Sequence, residues 1–121
     1  MYSAELLDHF EHPRNVGELP KPALTVEVTN PACGDILRLS AEIDAQGVVT
    51  AVGYKVRGCT ASIAAGSALT VLMQGRSMGE LAGLRFAAIV EEAIGGLEPA
   101  SRHAAALCAD GVQRLIQAYS R

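Results

Sequence analysis

At 121 residues and 50% hydrophobic content the chain is long enough for one domain with its own core, and with 4% aromatics and no Trp that core is built from Ala, Leu, Val and Ile. Ten Lys and Arg against thirteen Asp and Glu give a formal net charge of -3 with no basic run, which removes the electrostatic footprint of nucleic-acid binding. Met1-Tyr2-Ser3-Ala4-Glu5 lacks the pattern of a signal peptide and no segment approaches the ~20 apolar residues of a membrane span, so a cytoplasmic protein with three reduced cysteines is expected.

Residues Tyr2 to Glu11 place Leu6, Leu7 and Phe10 on one side of a short helix, terminated by His12-Pro13-Arg14-Asn15-Val16-Gly17. Thr25 to Thr29 reads as a first strand. From Leu37 to Ile43 the apolar set Leu37, Leu39, Ala41, Ile43 alternates with Arg38, Ser40 and Glu42, the pattern of a half-buried strand. Asp44-Ala45-Gln46-Gly47 is a hairpin loop, and Val48, Val52, Tyr54 and Val56 then share a face on a third strand ending at Arg57. A three-stranded antiparallel meander follows from this order.

At Gly58 the period changes. Thr60 to Gln74 is rich in Ala and Leu at helical spacing and stops at Gly75, so a strand runs directly into a helix at Cys59. Ser77-Met78-Gly79-Glu80 has the form of a capping box, and Arg85 to Ile94 continues helically to Gly95-Gly96, giving two short helices. Ser101 to Tyr119 is a long final helix whose stripe is Ala104, Cys108, Val112, Leu115 and Tyr119. No boundary, internal repeat or low-complexity tract divides residues 1–121, so a single domain is expected.

The chemistry rests on the cysteines. Cys33 and Asp35 share the turn Pro31-Ala32-Cys33-Gly34-Asp35, where a thiolate and a carboxylate can point the same way. Cys59 begins a helix, and the positive end of a helix dipole favours the thiolate that a metal needs. Cys108 can reach the same end of the sheet from the final helix, although its place on the core stripe also suits a small buried hydrophobe. Taken by itself, Asp35 after Gly34 reads more readily as a solvated turn residue than as a ligand. No Cys-x-x-Cys pair is present, so spacing alone does not define a site. His9 and His12 read as surface residues. His103 lies five residues before Cys108, roughly 140° round a helix, so both meet one metal only if the helix start is irregular.

Taken in order, these segments resemble the IscU/NifU-type iron-sulfur cluster assembly scaffolds, including the SufU-like branch. Tyr2-Ser3, Asp8-His9-Phe10 and His12-Pro13-Arg14-Asn15-Val16-Gly17 look like the opening signature of that family. Pro31-Ala32-Cys33-Gly34-Asp35, Gly58-Cys59 and Leu107-Cys108-Ala109 look like its three ligand segments. The resemblance implies a SufE/NifU-like α+β fold, a small three-stranded antiparallel sheet packed with helices, and a site of Cys33, Asp35, Cys59 and Cys108. It implies a non-enzymatic scaffold that binds iron, receives sulfur from a cysteine desulfurase, and builds a transient [2Fe-2S] cluster for apo acceptor proteins. The alternative it implies is a zinc-dependent, SufU-like sulfur carrier. Many IscU-type members have a His just before the third Cys and a Leu-Pro-Pro-Val-Lys stretch for a dedicated Hsp70-type chaperone; this chain has Leu107 and Glu98-Pro99-Ala100-Ser101-Arg102. The SufU-like insertion before the third Cys is also missing, and Ala105 stands where that branch has an Arg.

Overall fold

A computed structural model describes residues 2–120. The order is α1 (Ala4–Glu11), β1 (Leu24–Thr29), β2 (Ile36–Ile43), β3 (Val49–Arg57), α2 (Thr60–Met73), α3 (Met78–Gly83), α4 (Phe86–Ala93), a 3-10 turn (Pro99–Ser101) and α5 (His103–Tyr119). The strands form the antiparallel meander β1-β2-β3 that alternation and turn chemistry predict. Asp44 fixes the second turn, its carboxylate accepting from the N–H groups of Gln46 and Val48 at 2.9 Å.

Leu37, Leu39 and Ala41 of β2 and Val52 and Tyr54 of β3 face the core, against α2 and α5. The β2–β3 register slips between Glu42 and Ile43, and this shifts the expected face by one position at the start of β3. Val49 is fully buried there, while Val48 bridges Ser77. Beyond β3, the chain from Asn15 to Gly17 covers the open edge: the Tyr54 N–H donates to the Asn15 carbonyl at 3.0 Å and the Gly17 N–H to the Tyr54 carbonyl at 2.8 Å.

Helix α2 lies in the middle of the molecule, with Ala61, Ala64, Ala65, Ala68, Leu69 and Met73 all buried. Small residues let it approach β3 closely; a Cβ on Gly66 would lie 2.6 Å from the Tyr54 ring. Helix α1 is narrower in its burial than its sequence suggests, because Leu6 alone enters the core while Leu7 and Phe10 remain exposed. It is tied down by polar contacts instead. His9 Nδ1 lies 2.8 Å from the buried Ser67 hydroxyl, so His9 is half-buried rather than a surface residue, whereas His12 is exposed as expected. The capping box at Ser77 and Glu80 is present in full. Ala104, Cys108, Val112 and Leu115 form the buried stripe of α5, and Tyr119 lies outside it. Among the described residues no helix is long and apolar enough to cross a membrane.

Candidate metal centre

The β1–β2 turn is closed by the Asn30 N–H donating to the Asp35 carbonyl at 2.8 Å and the Gly34 N–H to the Asn30 carbonyl at 2.7 Å. Gly34 takes φ 77°, a left-handed conformation that glycine adopts at little cost, and the reversal leaves Cys33 exposed while Asp35 turns inward and is buried. The Asp35 carboxylate meets the start of α2. Cys59 is the N-cap of that helix, held extended, and no side chain caps the helix. Its backbone N–H points instead to Asp35 Oδ2 at 3.4 Å. One turn on, the fully buried Ser62 hydroxyl donates to the same oxygen at 2.6 Å. Burial would raise the Asp35 carboxyl, but hydrogen bonds from the Ser62 hydroxyl, the Cys59 backbone and the Cys59 and Cys33 thiols together hold it below its ordinary value.

His103 brings the fourth group. It is the first residue of α5, set there by the tight turn that begins at Pro99. Its Nδ1 donates to the Ala100 carbonyl at 3.2 Å, which fixes the tautomer and aims the lone pair of Nε2 at the thiol and carboxylate. Nε2 lies 3.4 Å from Cys59 Sγ and 3.5 Å from Asp35 Oδ2. Cys33, Asp35 and His103 each offer a ligand atom within 4.8 Å of the others. A tetrahedral ion with bonds of ~2.0–2.3 Å needs its donors ~3.3–3.8 Å apart, and the two distances from His103 Nε2, to Cys59 Sγ and to Asp35 Oδ2, fall in that range. The N-termini of α2 and α5 both face the group, and their dipoles favour anionic sulfur and oxygen.

Of the four residues singled out from sequence, Cys33 and Cys59 both touch the Asp35 carboxylate, while Cys108 lies buried in α5. Cys108 is 1% exposed on the core stripe of α5, and burial pushes its thiol up to about 12. Neither Cys59 nor Cys108 is among the three residues whose ligand atoms lie within 4.8 Å of one another. The helix is regular from His103 onward, so His103 and Cys108, five positions apart, point roughly 140° from each other round its axis. The signal for His103 was available in Pro99, a residue suited to the start of a helical turn, which puts the open end of the helix close to residue 103.

A family model described as "NifU-like N terminal domain" matches residues 1–121. The iron-sulfur cluster assembly scaffold protein IscU of Haemophilus influenzae is 35% identical over 121 residues, covering 98% of this chain and 94% of that protein. The IscU of Azotobacter vinelandii is likewise 35% identical, over 98% of this chain and 93% of its own length. The crystal structure of the N-terminal part of a NifU-like protein from Brucella abortus has the same fold, with a TM-score of 0.63 at 22% identity, covering 93% of this chain and 78% of that one. With the match spanning every residue, the chain belongs to the NifU-like N-terminal domain family.

Proposed function

We propose that this protein is a scaffold on which an iron-sulfur cluster is assembled and then passed to apo acceptor proteins, with Cys33, Asp35, Cys59 and His103 as the residues that hold iron. The observation that carries this reading is the meeting of two thiols, an imidazole and a carboxylate at the N-termini of two helices. The names of its relatives in Haemophilus influenzae and Azotobacter vinelandii support it. Cluster and iron are cargo here, and the chain carries them without turning over a substrate.

Thiolates match the softness of iron in a cluster, whereas carboxylate is a harder and weaker ligand that lets one iron exchange. Exposed Cys33 stands where sulfur from a cysteine desulfurase can arrive, and Cys59 behind it is half-buried. Zinc competes for the same donors, since a set of two sulfurs, one nitrogen and one oxygen satisfies it equally. The test is anaerobic reconstitution of the chain with a cysteine desulfurase, iron and a reductant, with iron, zinc and acid-labile sulfide quantified together. Absorption of a [2Fe-2S] cluster should grow in proportion to the chain and transfer to an apo-ferredoxin. If zinc stays bound and desulfurase turnover rises at substoichiometric amounts of the chain, the protein is a sulfur carrier instead.

A further inference from the structure

We propose that Ser62 is a positioning residue of this centre, holding the Asp35 carboxylate at one rotation so that it meets the metal together with Cys59 and His103; the inference rests on the metal-binding reading above. Ser62 occupies the third helical position of α2, from which a side chain reaches back over the N-cap. Its hydroxyl lies 2.6 Å from Asp35 Oδ2 and 3.4 Å from Cys59 Sγ. It therefore touches two of the four donors while remaining fully buried and out of reach of solvent.

A hydroxyl has one proton, and the acceptor it meets at 2.6 Å is the carboxylate, a spacing typical of a charge-assisted bond. The other contacts of Asp35 Oδ2 are longer: 3.4 Å to the Cys59 N–H and 3.5 Å to His103 Nε2. Of these, only His103 Nε2 is an atom that a metal draws on; the Cys59 backbone N–H and the Ser62 hydroxyl are not. The Ser62 contact is thus the shortest of those that metal binding leaves to the carboxylate. Without it a short Asp side chain is free to turn about its own bonds, and a tetrahedral set loses its fourth corner.

The experiment uses cobalt(II) added anaerobically to the metal-free full chain, read by its thiolate charge-transfer and ligand-field absorption and by chelator competition. Ser62→Ala should bind cobalt ~10–100-fold more weakly, the usual loss when a group supporting a metal ligand is removed. Its charge-transfer bands should persist, because both thiolates remain, while the ligand-field envelope changes. Ser62→Thr, which keeps the hydroxyl, should restore the affinity. In an Asp35→Ala background Ser62→Ala should have no further effect on affinity, since Ser62 acts through that carboxylate. Wild-type affinity and envelope in Ser62→Ala, with only the melting temperature of the metal-free chain altered, overturns the role of Ser62 and leaves the centre intact. A wild-type chain that binds no cobalt overturns the centre itself and the role of Ser62 with it.

Discussion

Gly58 lies against the carboxylate of Asp35 so closely that a Cβ built on the glycine would sit 2.5 Å from Asp35 Cγ and under 3 Å from both carboxylate oxygens. The glycine joins β3 to α2, and its missing side chain is the space into which the acid turns. Gly58→Ala removes no donor atom, yet should displace the carboxylate and weaken zinc or cobalt binding by ~10–100-fold. The obstructed atoms end a side chain rather than a backbone, so the fold should persist by circular dichroism. Unchanged metal affinity would mean that Asp35 is a turn residue and no ligand.

His103 and Cys108 give opposite expectations. His103→Ala removes the nitrogen that stands 3.4 Å from Cys59 Sγ, and metal content after anaerobic purification should fall sharply. Cys108→Ala should leave metal content at the wild-type level and act only on stability, through the loss of a small buried side chain. Metal loss in Cys108→Ala, with its fold preserved, would return that cysteine to the centre.

Thiol chemistry should follow the same division. In native, metal-free protein an alkylating reagent should modify exposed Cys33 first and half-buried Cys59 next, while Cys108 reacts only through opening of the fold. Peptide mapping by mass spectrometry reads the order, and bound metal should protect Cys33 and Cys59 without changing Cys108.

Alkaline pH should destabilise the metal-free chain. Burial raises the Cys108 thiol from 9.0 to about 12, and burial together with the nearby Cys108 raises Tyr54 from 10.0 to about 12. Both groups are held protonated in the native state at a pH where the unfolded chain gives up its protons. Their contribution is complete below pH ~9 and is lost as pH rises from there toward ~12, with Cys108 alone removing about 1.4 kcal/mol per pH unit inside that window. Urea midpoints measured from neutral pH to pH ~11 should therefore fall, and fall less steeply in Cys108→Ala. Equal slopes in the two proteins would count against the buried neutral thiol.

Replacement of Asp35 tests cargo release. Asp35→Cys exchanges a hard oxygen for a thiolate and should slow cluster transfer to an apo-ferredoxin, followed by stopped-flow absorption. Asp35→Ala should still permit assembly, with water or a small thiol in the empty position, but slow release. It also leaves the buried Ser62 hydroxyl without its acceptor, at a stability cost of about 1–3 kcal/mol. Wild-type transfer rates in both variants would remove Asp35 from the site.

Much of this was legible in the chain itself. The alternation of Leu37, Leu39 and Ala41, the period change at Gly58 and the Ser77 capping box each state a local rule that the fold obeys. The junction at Cys59 and the turn at Cys33 to Asp35 follow from those elements, which is why the meeting of these three residues could be read from sequence. Cys108 kept two readings in the sequence, ligand or small buried side chain, because the stripe that carries it also fills the core. Its neighbours Ala104, Val112 and Leu115 are all buried, and Cys108 shares their side of α5. His103 was only a weak candidate in the sequence, because its direction depends on where the helix begins, and the boundary that Pro99 sets is a matter of two residues. Ser62 carried no signal at all: a serine among alanines acquires meaning only once Asp35, 27 positions away, is seen to accept its proton.

The donors come from widely separated stretches: Asp35 and Cys59 are 24 positions apart and Cys59 and His103 a further 44. A metal bound to all of them acts as a removable staple across two long chain loops, whose closure the folded protein has already achieved and the unfolded chain has not. Loading therefore protects the fold in proportion to free metal, and giving up the cargo slackens it. Because His103 opens α5, a chain still being synthesised presents its two site thiols well before the imidazole, so metal captured in a complete set is a mark of finished folding.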